Sequence, residues 1–275
     1  VTLLEAVILG IVQGLTEPLP VSSSGHLVIL PALLPGFAQP GIFFDLVLHL
    51  GTLAAVVFFL RKEIAAILAS LIPGLFPAAF SRAADAKDRA AGRKMALLIV
   101  IATGVTGLIG VLFKDRIERL FESVEITAGM LLVTGLLLFL SDRVRHGKRR
   151  DLNWKDGILL GLVQAAALIP GISRSGSTIA FGIFRGMERG TAARFSFLIS
   201  IPAILGAVLL KAGEPAQMAA GDLPALGAGF LSAAITGFLA LKILFAVIQR
   251  TGLGVFAYYC WAVGIAALIA RGVQT

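Results

Sequence analysis

The sequence predicts an all-α integral membrane fold, with six transmembrane helices plus two re-entrant helix–loop–helix hairpins in an inverted-topology repeat. Three observations carry this expectation. Hydrophobic residues make up 57% of the chain and charged residues 15%, with a mean hydropathy of +0.93. A soluble domain is roughly a quarter charged, so this much apolar surface calls for lipid as its solvent. The apolar residues also fall into runs of membrane-crossing length, and the two halves of the chain match at one constant offset.

The runs lie at about 42–60, 95–113, 124–140, 195–210, 225–248 and 253–270. Each approaches the ~20 residues that cross a ~30 Å hydrocarbon layer. Small residues recur within them, as in Thr103-Gly104-Val105-Thr106-Gly107, and allow close helix packing. Two stretches, 3–15 and 156–169, are too short to cross. Each meets a Pro/Ser/Gly-rich break and then a second short apolar segment, at 27–34 and 178–184. Irregular backbone at membrane depth is tolerated only when buried in protein or lining a wet cavity, so both read as re-entrant hairpins. Segment 64–80 is apolar but interrupted by Pro73 and Pro77, and reads as an interfacial helix.

A shift of 151 residues superimposes the halves without a gap. Gly10 falls on Gly161, Gln13 on Gln164, Ser22 on Ser173, Ser24 on Ser175 and Gly25 on Gly176. Beyond the breaks, Phe44 falls on Phe195 and Val57 on Val208, and Thr106-Gly107 resembles Thr236-Gly237 at a shorter offset. The expected units are repeat 1 at about 1–141 and repeat 2 at about 156–275, joined by a basic cytoplasmic loop at 142–155. Three crossings plus one hairpin per unit invert the second copy and bring the breaks together near the midplane. One side of the resulting topology carries 17 Lys/Arg in its loops and the other 5. The rich side is expected to be cytoplasmic, which puts both termini and the mouth of the first hairpin on the periplasmic side.

The breaks hold the chemistry. The first runs from Gln13 through Glu17 and Pro20-Val21-Ser22-Ser23-Ser24-Gly25 to His26; the second is Pro170-Gly171-Ile172-Ser173-Arg174-Ser175-Gly176-Ser177-Thr178. Ionisable groups at membrane depth are expensive and functional by default, which singles out Glu17, His26 and Arg174. An Arg fork fits phosphate oxygens bidentately. Ser22, Ser24, Ser173, Ser175, Ser177 and Thr178 supply further donors, and a helix starting near Ser175 aims its positive end at the break. Phosphoryl transfer needs mainly positioning and charge stabilisation. Ser23, His26 or an activated water remains the candidate nucleophile, with His26 as proton shuttle. Glu17, with Gln13 one turn before it, is placed to hold a divalent cation, Mg2+ or Ca2+. Asp45 and His49, four apart on one helix face, either support the site or bond each other. The bland alternatives are serines that cap helices and an Arg–Glu pair that is merely structural.

These breaks resemble the undecaprenyl-diphosphatase family, also called the bacitracin-resistance family. Its first signature, (Glu/Gln)-x-x-x-Glu followed by Pro-Val-Ser-Ser-(Ser/Thr)-Gly-His, is matched by Gln13 to Glu17 and Pro20 to His26. Its second, Pro-Gly-x-Ser-Arg-Ser-x-x-Thr, is complete from Pro170 to Thr178. The Leu48-His49-Leu50-Gly51-Thr52 stretch is also similar, and the resemblance covers nearly the whole chain. It implies a divalent-cation-dependent phosphatase of the bacterial inner membrane, open to the outer face, that recycles the lipid carrier of wall polymers. Functional positions implied by it are Gln13, Glu17, Ser23, His26, Ser173, Arg174 and Thr178. Two departures stand out. Gln13 replaces a Glu, shifting more of the metal's coordination onto Glu17 and substrate oxygens. Pro18 stands where the family has a large aromatic residue.

Other classes fit less well. The cations lie between apolar runs rather than in a basic domain, so the net charge of +8 excludes nucleic acid as a partner. The expected partners are a polyprenyl diphosphate lipid and the membrane lipids; a homodimer is compatible with the sequence. Cys260, the single cysteine, permits no intrachain disulfide. The first residues lack a positive n-region and a small-residue cleavage site, so no signal peptide is expected there. The alternative to an enzyme is a transporter or flippase for a polyprenyl phosphate or another anion, since alternating access commonly uses inverted repeats.

Overall fold

A computed structural model of the chain describes residues 1–33, 42–72, 86–144, 147–211 and 223–274. These residues form α1 (Leu3–Thr16), α2 (Ser23–Leu33), α3 (Ile42–Phe59), α4 (Arg61–Leu71), α5 (Ala86–Leu112), α6 (Lys114–Leu120), α7 (Val124–Arg143), α8 (Trp154–Ala166), α9 (Arg174–Phe184), α10 (Arg189–Lys211), α11 (Leu223–Arg250) and α12 (Gly254–Gln274). Among them the only β feature is an isolated bridge from Arg149 to Met187.

The helices α5, α7, α10, α11 and α12 are long and apolar enough to cross a membrane. Each contains one of the apolar runs and most extend past it into charged sequence, because hydropathy marks only the part that lipid must cover. The remaining run is α3. At 18 residues it rises about 27 Å and then turns by 76° at Leu60 into α4. With 11 residues α4 is too short to cross; Pro73 and Pro77, in the segment expected to be interfacial, lie outside the described residues. The outer faces are apolar: Val100 and Leu108 on α5, Leu209 on α10 and Tyr258 on α12 are all more than half exposed. So much exposed apolar surface requires a nonpolar surrounding.

The two short helices begin alike. Thr2 accepts the amide of Glu5 while the Glu5 carboxylate accepts the amide of Thr2, a capping box. Asn153 and Asp156 form the same box on α8, 151 residues later. At the far side of each break, Ser22 accepts the amide of Gly25 at 3.2 Å and Ser173 that of Gly176 at 3.1 Å. These short helices pack on partners distant in sequence, α1 along α11 and α8 along α5. The paired glycines make this approach possible. A Cβ on Gly10 would strike Ser232 and the carbonyl of Gly229, and one on Gly161 the backbone of Ala102. The core between them is filled by Phe195, Phe197 and Ile199 of α10 with Leu131 and Leu138 of α7.

The basic loop is tied to the second hairpin. Arg149 donates to both oxygens of the fully buried Asp156 at 2.6 and 2.9 Å, and Arg185 reaches the same carboxylate at 3.3 Å. A carboxylate with two cationic partners and its helix N-terminus at hand is a stable way to bury charge.

Candidate active site

Both breaks are shaped by local backbone demands. The helix α1 ends at Thr16, with the Glu17 amide still bonded to the Gln13 carbonyl at 2.9 Å and the buried Pro18 stopping its continuation. Pro18 thus sits inside the turn in place of the expected aromatic. Ser22 then adopts φ +64°, the left-handed region that a side chain enters at a penalty of ~1–3 kcal/mol. This turns its carbonyl toward α2, where it accepts from the amide of His26 and contacts the His26 ring Nδ1 at 2.7 Å. In the second break Gly171 has φ +91°, and a Cβ there would meet the Thr127 carbonyl and Met130. Thr134 of α7 pins it, donating to the Gly171 carbonyl at 2.9 Å and accepting from the Ser173 amide at 3.0 Å.

The breaks meet at Glu17. Its Oε1 accepts from Arg174 Nη2 at 2.6 Å. Its Oε2 accepts from Ser23 Oγ at 2.5 Å and from Gln13 Nε2 at 3.3 Å, with His49 Nε2 at 3.8 Å. The side chains of Glu17 and Arg174 are 11% and 16% exposed, so the pair is sheltered yet reachable. Nη1 of Arg174 is buried with no hydrogen-bond partner, and so is Ser177 Oγ, one helical turn along α9. Unsatisfied donors of this kind are costly in a dry interior, and they are spare capacity for an anion at the N-terminal turn of α9.

The structure gathers Gln13, Glu17, Ser23, His49 and Arg174 into direct contact. His49 bonds the backbone carbonyl of Asp45 through Nδ1 at 2.8 Å, which turns Nε2 toward Glu17. The other expected residues build the frame. Ser22 and Ser24 lie Oγ to Oγ at 3.3 Å, and their repeat mates Ser173 and Ser175 at 3.4 Å. Ser175 also donates to the Leu19 carbonyl across the two breaks. Thr178 donates to the Arg174 carbonyl at 2.7 Å and pairs with Ser196 Oγ on α10, fixing the turn that carries the guanidinium.

His26 bonds to other partners. Its hydrogen bonds go to the Ser22 carbonyl and, at 2.8 Å, to Tyr259 Oη of α12, whose ring stacks on it at 5.7 Å. A carbonyl on Nδ1 requires a proton there, so the neutral ring accepts the Tyr259 hydroxyl at Nε2. Tyr259 escapes sequence reasoning because it sits in an ordinary apolar run, 233 residues from His26.

For a cation, the donor set is the Glu17 carboxylate with the Gln13 carboxamide beside it. Among the described residues no group of three or more His, Cys, Asp or Glu side chains could hold a metal. One carboxylate and one amide are hard oxygen donors of the kind that hold Mg2+ when substrate phosphates complete its shell. The residues therefore fit a cation shared with substrate, and not a protein-only cage.

The chain is similar to known proteins over nearly its full length. The family described as Bacitracin resistance protein BacA matches residues 6–266. An undecaprenyl-diphosphatase of Desulfosudis oleivorans is 44% identical over 264 residues, covering 95% of this chain and 96% of that protein. Proteins with the same name from Syntrophotalea carbinolica and Methanosphaera stadtmanae are each 41% identical, over 263 and 273 residues, and cover 95% and 97% of this chain and 96% and 97% of their own lengths.

Proposed function

This chain belongs to the bacitracin resistance protein BacA family, and we propose that it is an undecaprenyl-diphosphatase, hydrolysing undecaprenyl diphosphate to undecaprenyl phosphate and phosphate. The observation that carries the reading is the Ser23–Glu17–Arg174 chain of hydrogen bonds, with one guanidinium nitrogen of Arg174 left unpartnered.

In this reading Arg174 Nη1, Ser177 Oγ and the first amides of α9 receive the terminal phosphate oxygens. Ser23 Oγ attacks the terminal phosphorus and passes its proton to Glu17, with which it is already in hydrogen-bond contact. The bond from phosphorus to the bridging oxygen breaks, and undecaprenyl phosphate leaves. The proton held on Glu17 goes to the departing oxygen; water then attacks the phosphoserine, and one of its protons passes through Glu17 to Ser23 Oγ as phosphate is released. Arg174 offsets charge on the phosphoryl oxygens throughout, the dominant contribution in such reactions. His49 Nε2 stands beside the Glu17 carboxylate at 3.8 Å. His26, fixed by Tyr259, stiffens the first turn of α2 and keeps Ser23 aimed. Gln13 and Glu17 would hold a divalent cation, which supplies further charge neutralisation on the diphosphate.

The surrounding architecture proposed for this site has α3 as the sixth crossing and α1–α2 and α8–α9 as re-entrant hairpins. Repeat 1 takes about 1–141 and repeat 2 about 156–275, in inverted orientation. Loop 142–155 then lies in the cytoplasm of the inner membrane, with the site open to the periplasm. The common caps and the reciprocal packing of α1 on α11 and α8 on α5 support the repeat, and the loop cations support the orientation.

The test is phosphate release from undecaprenyl diphosphate by the detergent-solubilised chain, with and without Mg2+ or Ca2+. Cation-dependent release is expected. Failure of folded protein to release phosphate with either cation would overturn the reading.

A further inference from the structure

The helix α11 carries one charged residue inside its apolar stretch, Lys242, two turns before Arg250 at its end. Lys242 faces out of the bundle. An ammonium at such a depth is expensive in hydrocarbon and marks function by default. Its ammonium lies 4.8 Å from the Phe238 ring centroid. Phe238 in turn lies 5.5 Å from Phe58 of α3, and the Arg61 guanidinium stands 4.5 Å over Phe58. The two aromatic rings are thus flanked by two cations from two helices. Arg61 donates to the Phe58 carbonyl. Neither cation has a carboxylate partner among the described residues.

The same rings line an open apolar groove of about 370 Å3 between α3 and α11. Its walls include Ala54 and Ala234, whose small side chains open it, and Ile235. That volume is within the range of small-ligand pockets. Arg61 starts α4 where the chain turns by 76° away from α3, the place where a crossing helix leaves the hydrocarbon. Its N-cap, Leu60, offers no side-chain acceptor to the first amides of α4. This groove is distinct from the Glu17–Arg174 site: His49 lies nine residues before Phe58, about 14 Å along α3.

We propose that this groove is a lipid-binding site that takes one acyl chain of an anionic phospholipid, whose phosphate is held between Lys242 and Arg61. An open apolar groove whose two lining rings each carry a cation, neither with a carboxylate partner among the described residues, is complementary to an acyl chain ending in an anion. The phospholipids of the leaflet on this side supply that anion at high local concentration. The inference rests on membrane insertion and is independent of the phosphatase reading.

Native mass spectrometry of the full purified chain tests it, with phosphatidylglycerol or phosphatidylcholine of the same acyl chains titrated in. The wild type is expected to bind its first phosphatidylglycerol about tenfold or more tightly than phosphatidylcholine, given two cations near one headgroup. The double variant Lys242→Met, Arg61→Gln is expected to lose that preference, and Lys242→Arg to keep it. Ala234→Phe, which fills the slot and leaves both charges, is expected to weaken binding of both lipids; it serves if the charge variant fails to fold. Arg174→Ala is expected to keep the preference, being in the other site. Equal binding of the two lipids, or a preference that survives both the charge variant and the filled slot, would overturn the proposal. So would binding of undecaprenyl phosphate, titrated in parallel, with neither phospholipid bound, which would assign the groove to a polyprenyl chain.

Discussion

The two hairpins have one frame and different chemistry. Each starts with a capping box, ends with a serine accepting the amide three residues on, and carries a pair of hydroxyls about 3.3–3.4 Å apart. At the positions that do not match, the first hairpin has Glu17, Ser23 and His26 where the second has Leu168, Arg174 and Ser177. The first therefore holds a carboxylate and a hydroxyl, the second a guanidinium and an unsatisfied hydroxyl. In the mechanism proposed above, the base and nucleophile come from the first hairpin and the anion clamp from the second. Neither hairpin alone holds both halves of the chemistry.

The glutamines show the same divergence. Gln164 donates to Thr106 at 3.1 Å, joining α8 to α5. Its mate Gln13 donates to Glu17 and faces the site. At positions 151 residues apart, one glutamine bonds between helices and the other bonds Glu17.

The variants that bear on this contrast differ widely in expected size. Arg174→Ala removes the clamp and should lower the turnover rate of phosphate release by roughly 10²–10³, the effect of losing a preorganised charge-stabilising donor. A decrease of only a few-fold would move the clamp elsewhere. Ser23→Ala should lower the same rate by about 10² or more. Acid quenching of labelled substrate should trap a phosphoserine on the wild type and none on the variant; a trapped phosphate on the variant would place the nucleophile at another residue. Gln13→Leu should reduce turnover about tenfold with little change in thermal midpoint. Tyr259→Phe deletes one hydrogen bond to His26 and should slow turnover by several-fold, within what a net contribution of ~1 kcal/mol allows. Gln164→Leu should do the reverse of Gln13→Leu, destabilising by about 1 kcal/mol with turnover per folded molecule unchanged. If the two glutamine variants behaved alike, the division between packing and chemistry would fail.

Much of this was legible in the sequence, for identifiable reasons. The lipid-covered part of each long helix is a run of apolar residues, so α3, α5, α7, α10, α11 and α12 are visible as hydropathy alone. Glu17 and Arg174 are legible because charge in an apolar setting is rare and needs a partner, and here they are each other's partner. The helix ends are less visible. Ala86 to Arg93 of α5 is charged, and its helicity continues past what lipid demands. The short α6 lies in a charged loop with no apolar period to announce it. The capping boxes at Thr2 and Asn153 have a legible spacing and extend the repeat to the first turn of each hairpin. Tyr259 had no local signal, since only the packing of α12 against α2 turns an unremarkable aromatic into the partner of His26. The direction of His26 depends in turn on the left-handed Ser22, a conformation no residue type at that position announces.

The most direct measurement is a double-mutant cycle on phosphate release from undecaprenyl diphosphate, using wild type, Glu17→Gln, Arg174→Ala and the double variant, each checked for helicity. If the two hairpins form one site, the losses are strongly non-additive, and the double variant is little worse than the weaker single one. Losses that simply multiply would show that Glu17 and Arg174 act independently and would contradict a site shared between the hairpins.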